Sequence, residues 1–532
     1  MQLISQSTKY LMEECKKRAI DAGLRFDSDT LEYIVTNKDM IELTPKVMIP
    51  TLYDYWVNDV EVLKESGKYK LYPNNPYETV INSRPAISFY NDNNPDWLNV
   101  MIFYHVLAHI DFFQNNRLFS HTWKDDFVGK ALADKRLLSD FRKKYERWVD
   151  YVIEFTRSIN NLNSYFIELA NNHAENKKTT LSLLEFYLQN FLQGIKKMPE
   201  SEIYNETDRY NQLLEKVGEN MAEALFFNSI RDKYPELNAI YENYLKENEK
   251  AKPKDLLEYI RDNSPFLRKN ENTWMKEVIN IVRDTAIYFE PQIRTKIINE
   301  GWASYWHDTL FRQDKYLKTN EVAYAKINAM VTSVQRVGLN PYAIGLRLVQ
   351  YVEELANEGK LSREFQNLQT KELRDKYDKK TGKGKEAIFD LRANFSDFML
   401  IKTFTDQDFV DKHDLFVVGK RMNQQKQVYE YYIKSKKAED YQEMLLESLY
   451  HPPYVYVDTE KTDDFSICLV HEFEDKPLVD DFIEDTLLGI SFLWGGKVFL
   501  ETNEVTINSN NEKTIKPIVW IMENKKLKKI YR

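Results

Sequence analysis

The hydrophobic pattern of this chain is most extreme between residues 97 and 113. There the apolar positions wrap most of the circumference of a 3.6-residue helix and are interrupted by Asn99, His105, His109 and Asp111. Asn94-Pro95 reads as N-cap and first helical residue, so the spacing predicts a buried central helix running to about Asn116. Amphipathic patterns with charged outer faces follow at 137–159, 181–195 and 208–227. Pro253 and Pro265 bracket a short helix at 254–263. Residues 271–312 predict one or two more helices, with Pro291 between them, and 341–358 another after the turn Gly338-Leu-Asn-Pro341. Residues 1–95 alternate short helices with extended pieces punctuated by Pro45, Pro50, Pro73, Pro76, Pro85 and Pro95. From about 450 the period changes towards two, at 454–457, 465–473, 497–502 and 516–522, with a helical pattern at 479–494 among them.

These elements predict a mainly α protein, a large helical domain with a small C-terminal α+β module. The expected division is 1–375 for the helical domain, 376–450 for a connecting segment with helices, and 451–532 for the module. Composition agrees: the 532 residues include only 15 Gly and 16 Pro but 34 Tyr and 29 Phe. A net charge of −9 gives no general attraction to nucleic acid or to an anionic membrane. Cys15 and Cys468 are the two cysteines, which excludes a disulfide framework and a CxxC metal site. The first residues lack a basic-then-apolar pattern and no stretch holds 18 clean apolar residues, so a cytoplasmic chain without a membrane span is expected. Lys379-Lys-Thr-Gly-Lys-Gly-Lys385 lacks the spacing of a phosphate-binding loop and reads as an exposed turn.

Candidate chemistry begins with His105 and His109, two of only eight histidines. At i, i+4 they lie about 40° apart and about 6 Å along the axis, the spacing helices use to bind metal. Val106 stands where a zinc-peptidase helix carries its Glu, so that motif is absent. A second cluster is Lys296-Ile-Ile-Asn-Glu300-Gly-Trp-Ala-Ser-Tyr-Trp-His307. Glu300 and His307 share a helical face but sit about 10 Å apart, too far for one zinc unless Gly301 breaks the helix; otherwise one of them acts behind the other. Tyr77-Glu78 offers a further carboxylate. Trp302 and Trp306 read as core, and His121, His173, His413, His451 and His471 carry no partner pattern.

The segments Tyr77–Asn82, His105–Asn116, Tyr288–His307, Gly338–Gly345, Lys383–Phe389 and His413–Phe416 resemble the stage V sporulation protein R (SpoVR) family. So do Leu469-Val-His471-Glu, Leu493-Trp-Gly and Val498–Thr502. The segment before Tyr77 departs from the family pattern, and 150–250 matches loosely. The resemblance implies a cytoplasmic bacterial protein linked to sporulation or stress, encoded beside a serine-protein kinase and a von Willebrand A-like protein as partners. Two functions of different class follow. In one, His105, His109 and His307 hold a divalent metal such as zinc, Glu300 or Glu78 completes the shell or acts as general base, and Lys296 stabilises an oxyanion in amide hydrolysis. In the other, the chain is a non-enzymatic regulatory or scaffold partner of the kinase, and the polar cluster is a structural network.

Overall fold

In the computed structural model every residue from Val100 to Phe113 is buried, within a single helix, Asp96–Asn115, called here the histidine helix. Its first helical residue is Asp96 and Pro95 takes the cap position, one place later than the Asn94-Pro95 reading predicts. The structure describes residues 2–27, 29–36, 39, 78–123, 127–160, 183–248, 255–423, 427–449, 452–474, 476–507 and 513–531.

The chain is mainly α with a C-terminal α+β region, and divides into two compact units. The first comprises Met1–Asn163 and Leu256–Arg532; the second is Ser164–Asp255, interposed in sequence. In the first unit the strands β1 (Gln2–Leu3), β2 (Thr30–Val35), β3 (Glu78–Ile81) and β4 (Ala86–Asn91) form a sheet in the order β1-β2-β4-β3. β2 and β4 run parallel, with Tyr33 opposite Phe89. β3 packs on the histidine helix. Two antiparallel strands, β5 (Val417–Asn423) and β6 (Val428–Ser435), make a separate hairpin. The C-terminal sheet has the order β11-β10-β9-β8-β7, built from β7 (Val455–Val457), β8 (Ser466–His471), β9 (Lys497–Ile507), β10 (Lys513–Glu523) and β11 (Lys526–Tyr531). The helix Asp480–Trp494 covers it, ended by Gly495 in the left-handed region.

That sheet shares its core with helices from the middle of the chain. Leu469, Val498 and Leu487 belong to one buried cluster with Val152 of the helix Trp148–Asn160 and Val278 of the helix Trp274–Arg294. The periodic stretch at 137–159 is two helices, not one, broken where Glu146 takes a positive φ. Pro291 does not separate helices either. It lies within Trp274–Arg294, and the chain turns instead at Thr295. The second unit has its own aromatic core, in which Phe186, Tyr187 and Phe191 meet Phe226 and Phe227. No described helix is long and apolar enough to cross a membrane.

Candidate metal centre

Three helices build the site. The histidine helix is crossed by Lys296–Phe311, called here the glutamate helix, which in turn packs on Pro341–Asn357. The glutamate helix runs unbroken through Gly301, so that residue is not the interruption the spacing argument allowed for. Gly301 serves close approach instead. A Cβ there would stand 2.2 Å from the carbonyl carbon of Gly345, and one on Gly345 would stand 2.0 Å from the oxygen of Ile297. Backbone therefore lies on backbone at this crossing, and only glycine fits both sides.

Two buried carboxylates fix the glutamate helix. Asp397 accepts from the amides of Ile297 (2.9 Å) and Ile298 (2.8 Å), satisfying two donors at the helix start. Burial pushes its carboxyl up to about 7, against the pull of those amides. Asp111, two residues beyond His109, accepts from the Trp302 indole at 3.0 Å and the Arg25 amide at 2.7 Å. Asn340 caps the third helix through the amides of Tyr342 and Ala343, and places the Tyr342 ring over His105, with centroids 6.1 Å apart and nearly parallel.

This frame brings together His105, His109 and Glu300, whose ligand-type atoms all lie within 4.8 Å of one another. Glu300 Oε2 is 3.8 Å from His105 Nε2 and 3.6 Å from His109 Nε2. Those separations exceed a good hydrogen bond but approach the roughly 3.3 Å between ligand atoms that each sit about 2 Å from a tetrahedral cation. The hydrogen bonds behind the imidazoles decide which nitrogens face the carboxylate. His109 Nδ1 lies 3.0 Å from Asn299 Oδ1, an acceptor, so Nδ1–H donates and Nε2 presents its lone pair to the site. On the other side His307 Nε2 lies 3.1 Å from Asn328 Oδ1 and therefore donates, leaving His307 Nδ1 as acceptor for His105 Nδ1–H at 2.9 Å. His105 thus also turns an Nε2 lone pair towards Glu300. Two lone pairs and a carboxylate oxygen converging on one point repel one another unless a cation lies between them.

The electrostatics suit that role. Burial drives His105 down to about 3, opposed by the Glu300 carboxylate and reinforced by His109 and His307. Burial likewise lowers His307. Burial alone would raise Glu300, but the imidazoles and the Tyr342 hydroxyl outweigh it and hold the carboxyl below its usual range. The ligands a divalent ion needs are a neutral imidazole and an ionised carboxylate.

Among the sequence candidates, the structure joins His105, His109 and Glu300 directly. It sets His307 behind His105 as a hydrogen-bond partner. Lys296 lies on the wall of a cleft of about 490 Å³ that reaches His105, Glu300 and His307, with Ile327, Val331 and Tyr342 on its other walls. The backbone of Glu78 is on β3, and its side chain lies outside the described residues. Asn299, Asn328 and Tyr342 were not singled out as site residues. For Asn299 a signal existed, an amide next to the candidate glutamate in a helix otherwise rich in buried apolar groups.

A family model described as "SpoVR like protein" matches residues 4–451. Among curated proteins, the chain is 24% identical over 343 residues to the "Uncharacterized protein YcgB" of Escherichia coli (strain K12), covering 60% of this chain and 59% of that protein. The match therefore spans less than two thirds of the relative's length. No solved structure matches.

Proposed function

The chain belongs to the SpoVR family, and from its two histidines and one glutamate we propose that it is a divalent-metal-dependent hydrolase acting on an amide bond. The observation that carries this reading is the tautomer pattern: Asn299 and the His307–Asn328 pair turn both Nε2 lone pairs onto Glu300. A His₂Glu set is one of the donor sets of catalytic zinc, which leaves a coordination position for water and substrate. The bound ion would supply a water of lowered pKa. The chain's own groups would do the rest. The Asn299 and His307 contacts hold the imidazoles in register, Tyr342 steadies the Glu300 carboxylate, and Lys296 on the cleft wall offers its ammonium to the carbonyl oxygen as charge develops. The apolar wall at Ile327 and Val331 limits water around the reacting bond.

The test uses the full chain without an affinity tag, reconstituted with zinc, manganese or iron(II) and desalted. About one equivalent of one of these ions is expected in the parent protein and in a His173→Ala control, and little in Glu300→Gln. Hydrolysis is then followed on a quenched peptide mixture. Failure to retain any of the three ions would overturn the reading and favour a scaffold partner of the serine-protein kinase. Retention with no turnover would reduce the centre to a structural one.

A further inference from the structure

The metal cleft is not alone on its face of the first unit. A second cavity, of about 590 Å³, adjoins it, and the two have Gln335, Leu339 and Asn340 of the 333–340 loop in common. The far wall of the second cavity is the β5–β6 hairpin. Its register pairs Val418 with Ile433, Lys420 with Tyr431 and Met422 with Tyr429, so these six side chains share one face of the ribbon. That face is unusually apolar for its exposure: Met422 is 50% accessible, Tyr429 58%, Tyr431 54% and Ile433 52%. Its charge is equally one-sided. Lys420 and Arg336 line the cavity, and the carboxylate there, Asp414, is ion-paired with Lys436 at 2.8 Å.

From this we propose that the second cavity and the hairpin face form a distal binding site for an extended acidic peptide, whose nearer end reaches the metal cleft. The inference rests on the hydrolase reading for what happens at that nearer end, and on the surface itself for the rest. Three features select this occupant. Among the described residues the ribbon has no third strand, and an extended chain added at its edge would place alternate side chains on the tyrosine face. Arg336 and Lys420 outnumber Asp414 at the second cavity and give it excess positive charge, matched by carboxylates spaced along a peptide, while at the cleft Lys296 is balanced by Glu300. The shared loop residues make the two cavities neighbours, so one chain serves both. A peptide of about ten residues, at roughly 3.3 Å per residue, extends to about 33 Å.

The probe is a fluorescein-labelled peptide of about ten residues alternating Glu and Leu, with a version of about three residues as the short control. Binding to the full metal-loaded chain is read by anisotropy, and cleavage separately by mass spectrometry. Arg336 and Lys420 are both exposed, so R336E/K420E is not expected to disturb folding. It should weaken the long peptide by about tenfold or more and leave the short one unchanged; Tyr431→Ala should weaken the long peptide by a smaller factor. The inference is overturned if the long peptide binds no more tightly than the short one, or if charge reversal leaves its affinity unaltered. It is also overturned if single-stranded poly(U) RNA displaces the peptide and binds more tightly. The two readings fail separately. Charge-sensitive binding without metal-dependent cleavage removes the hydrolase and keeps the distal site. Cleavage indifferent to R336E/K420E does the reverse.

Discussion

His471, on β8 of the C-terminal sheet, is as buried as His109 on the histidine helix, at 6% and 7% exposure. The first sits beside the apolar cluster of Val455, Leu469 and Leu500, and its Nδ1 meets one hydroxyl, Thr502 Oγ1, at 2.8 Å. Burial lowers its pKa, and Glu472 and Glu474 oppose that from the side. The second belongs to a set of three imidazoles whose back nitrogens are all engaged with one another or with amides, so that two Nε2 atoms and a carboxylate share one small volume. Both arrangements are ways of burying histidine. What separates them is direction: at His471 the polar contact ends in a single partner, whereas around His105 the contacts pass orientation from α-helix to α-helix and aim it at one point.

The largest effect expected from this contrast is on metal. Glu300→Gln should cost more than the ~10–100-fold in affinity typical of losing an outer partner, measured by competition with a chromophoric chelator. His471→Asn should leave that affinity unchanged and lower stability by about 1–3 kcal/mol in a denaturant titration. If the two variants lose metal alike, the distinction collapses.

Next comes Gly345→Ala. In an ordinary helix interior this change would stabilise by roughly 1 kcal/mol. Here the added carbon meets the Ile297 carbonyl, so the expected result is a loss of about 1–3 kcal/mol together with weakened metal binding. An increase in stability would mean that the two helices do not touch where the structure places them.

Asn299→Ala and His307→Ala remove hydrogen-bond partners without removing candidate ligands. Each should weaken metal binding by about 10–100-fold, and His307→Gln should recover part of it. The smallest effect is on acid stability. His105 titrates near 3 when folded and near 6.5 when unfolded, so below 6.5 the unfolded chain binds the extra proton. Its contribution is present above that pH and declines as pH falls from 6.5 towards 3. In chelator, moving from about pH 7.5 to 5.5 should cost roughly 1.4 kcal/mol through this residue, a difference that His105→Asn should abolish.

Part of this site could be read from local pattern. The i, i+4 spacing of His105 and His109 within an apolar stretch gave the helix and its buried face directly, because both depend on residues within two turns of one another. Glu300 and His307 were visible as candidates, and their spacing implied that only one could sit beside the histidine pair unless Gly301 broke the helix, which it does not. Which one did so was settled by the crossing of the two helices, and that crossing depends on Gly301 meeting Gly345, a contact between segments with no local signature. The same reason hid Asn328 and Tyr342, whose roles come from the helices that bring them in. Four of the five C-terminal strands were legible through their alternation, and β11 was not among the strands read. Their shared core with residues 148–160 was not, because alternation shows which face is buried and not what covers it.

The interposed second unit has a consequence for how the protein is made. His109 and Asn299 are 190 positions apart, and the whole of residues 164–255 is translated between them. At roughly 5–20 residues per second, the histidine helix leaves the ribosome about 10–40 s before the glutamate helix can cover it. During that interval a helix buried in the finished fold along most of its length has neither its neighbour nor the carboxylate that faces its histidines. The glutamate helix brings Glu300 to the histidine pair, and Asn328, Tyr342 and Asp397, which hold that arrangement, follow later still, so metal uptake by the nascent chain would mark the moment at which the last of these helices has docked.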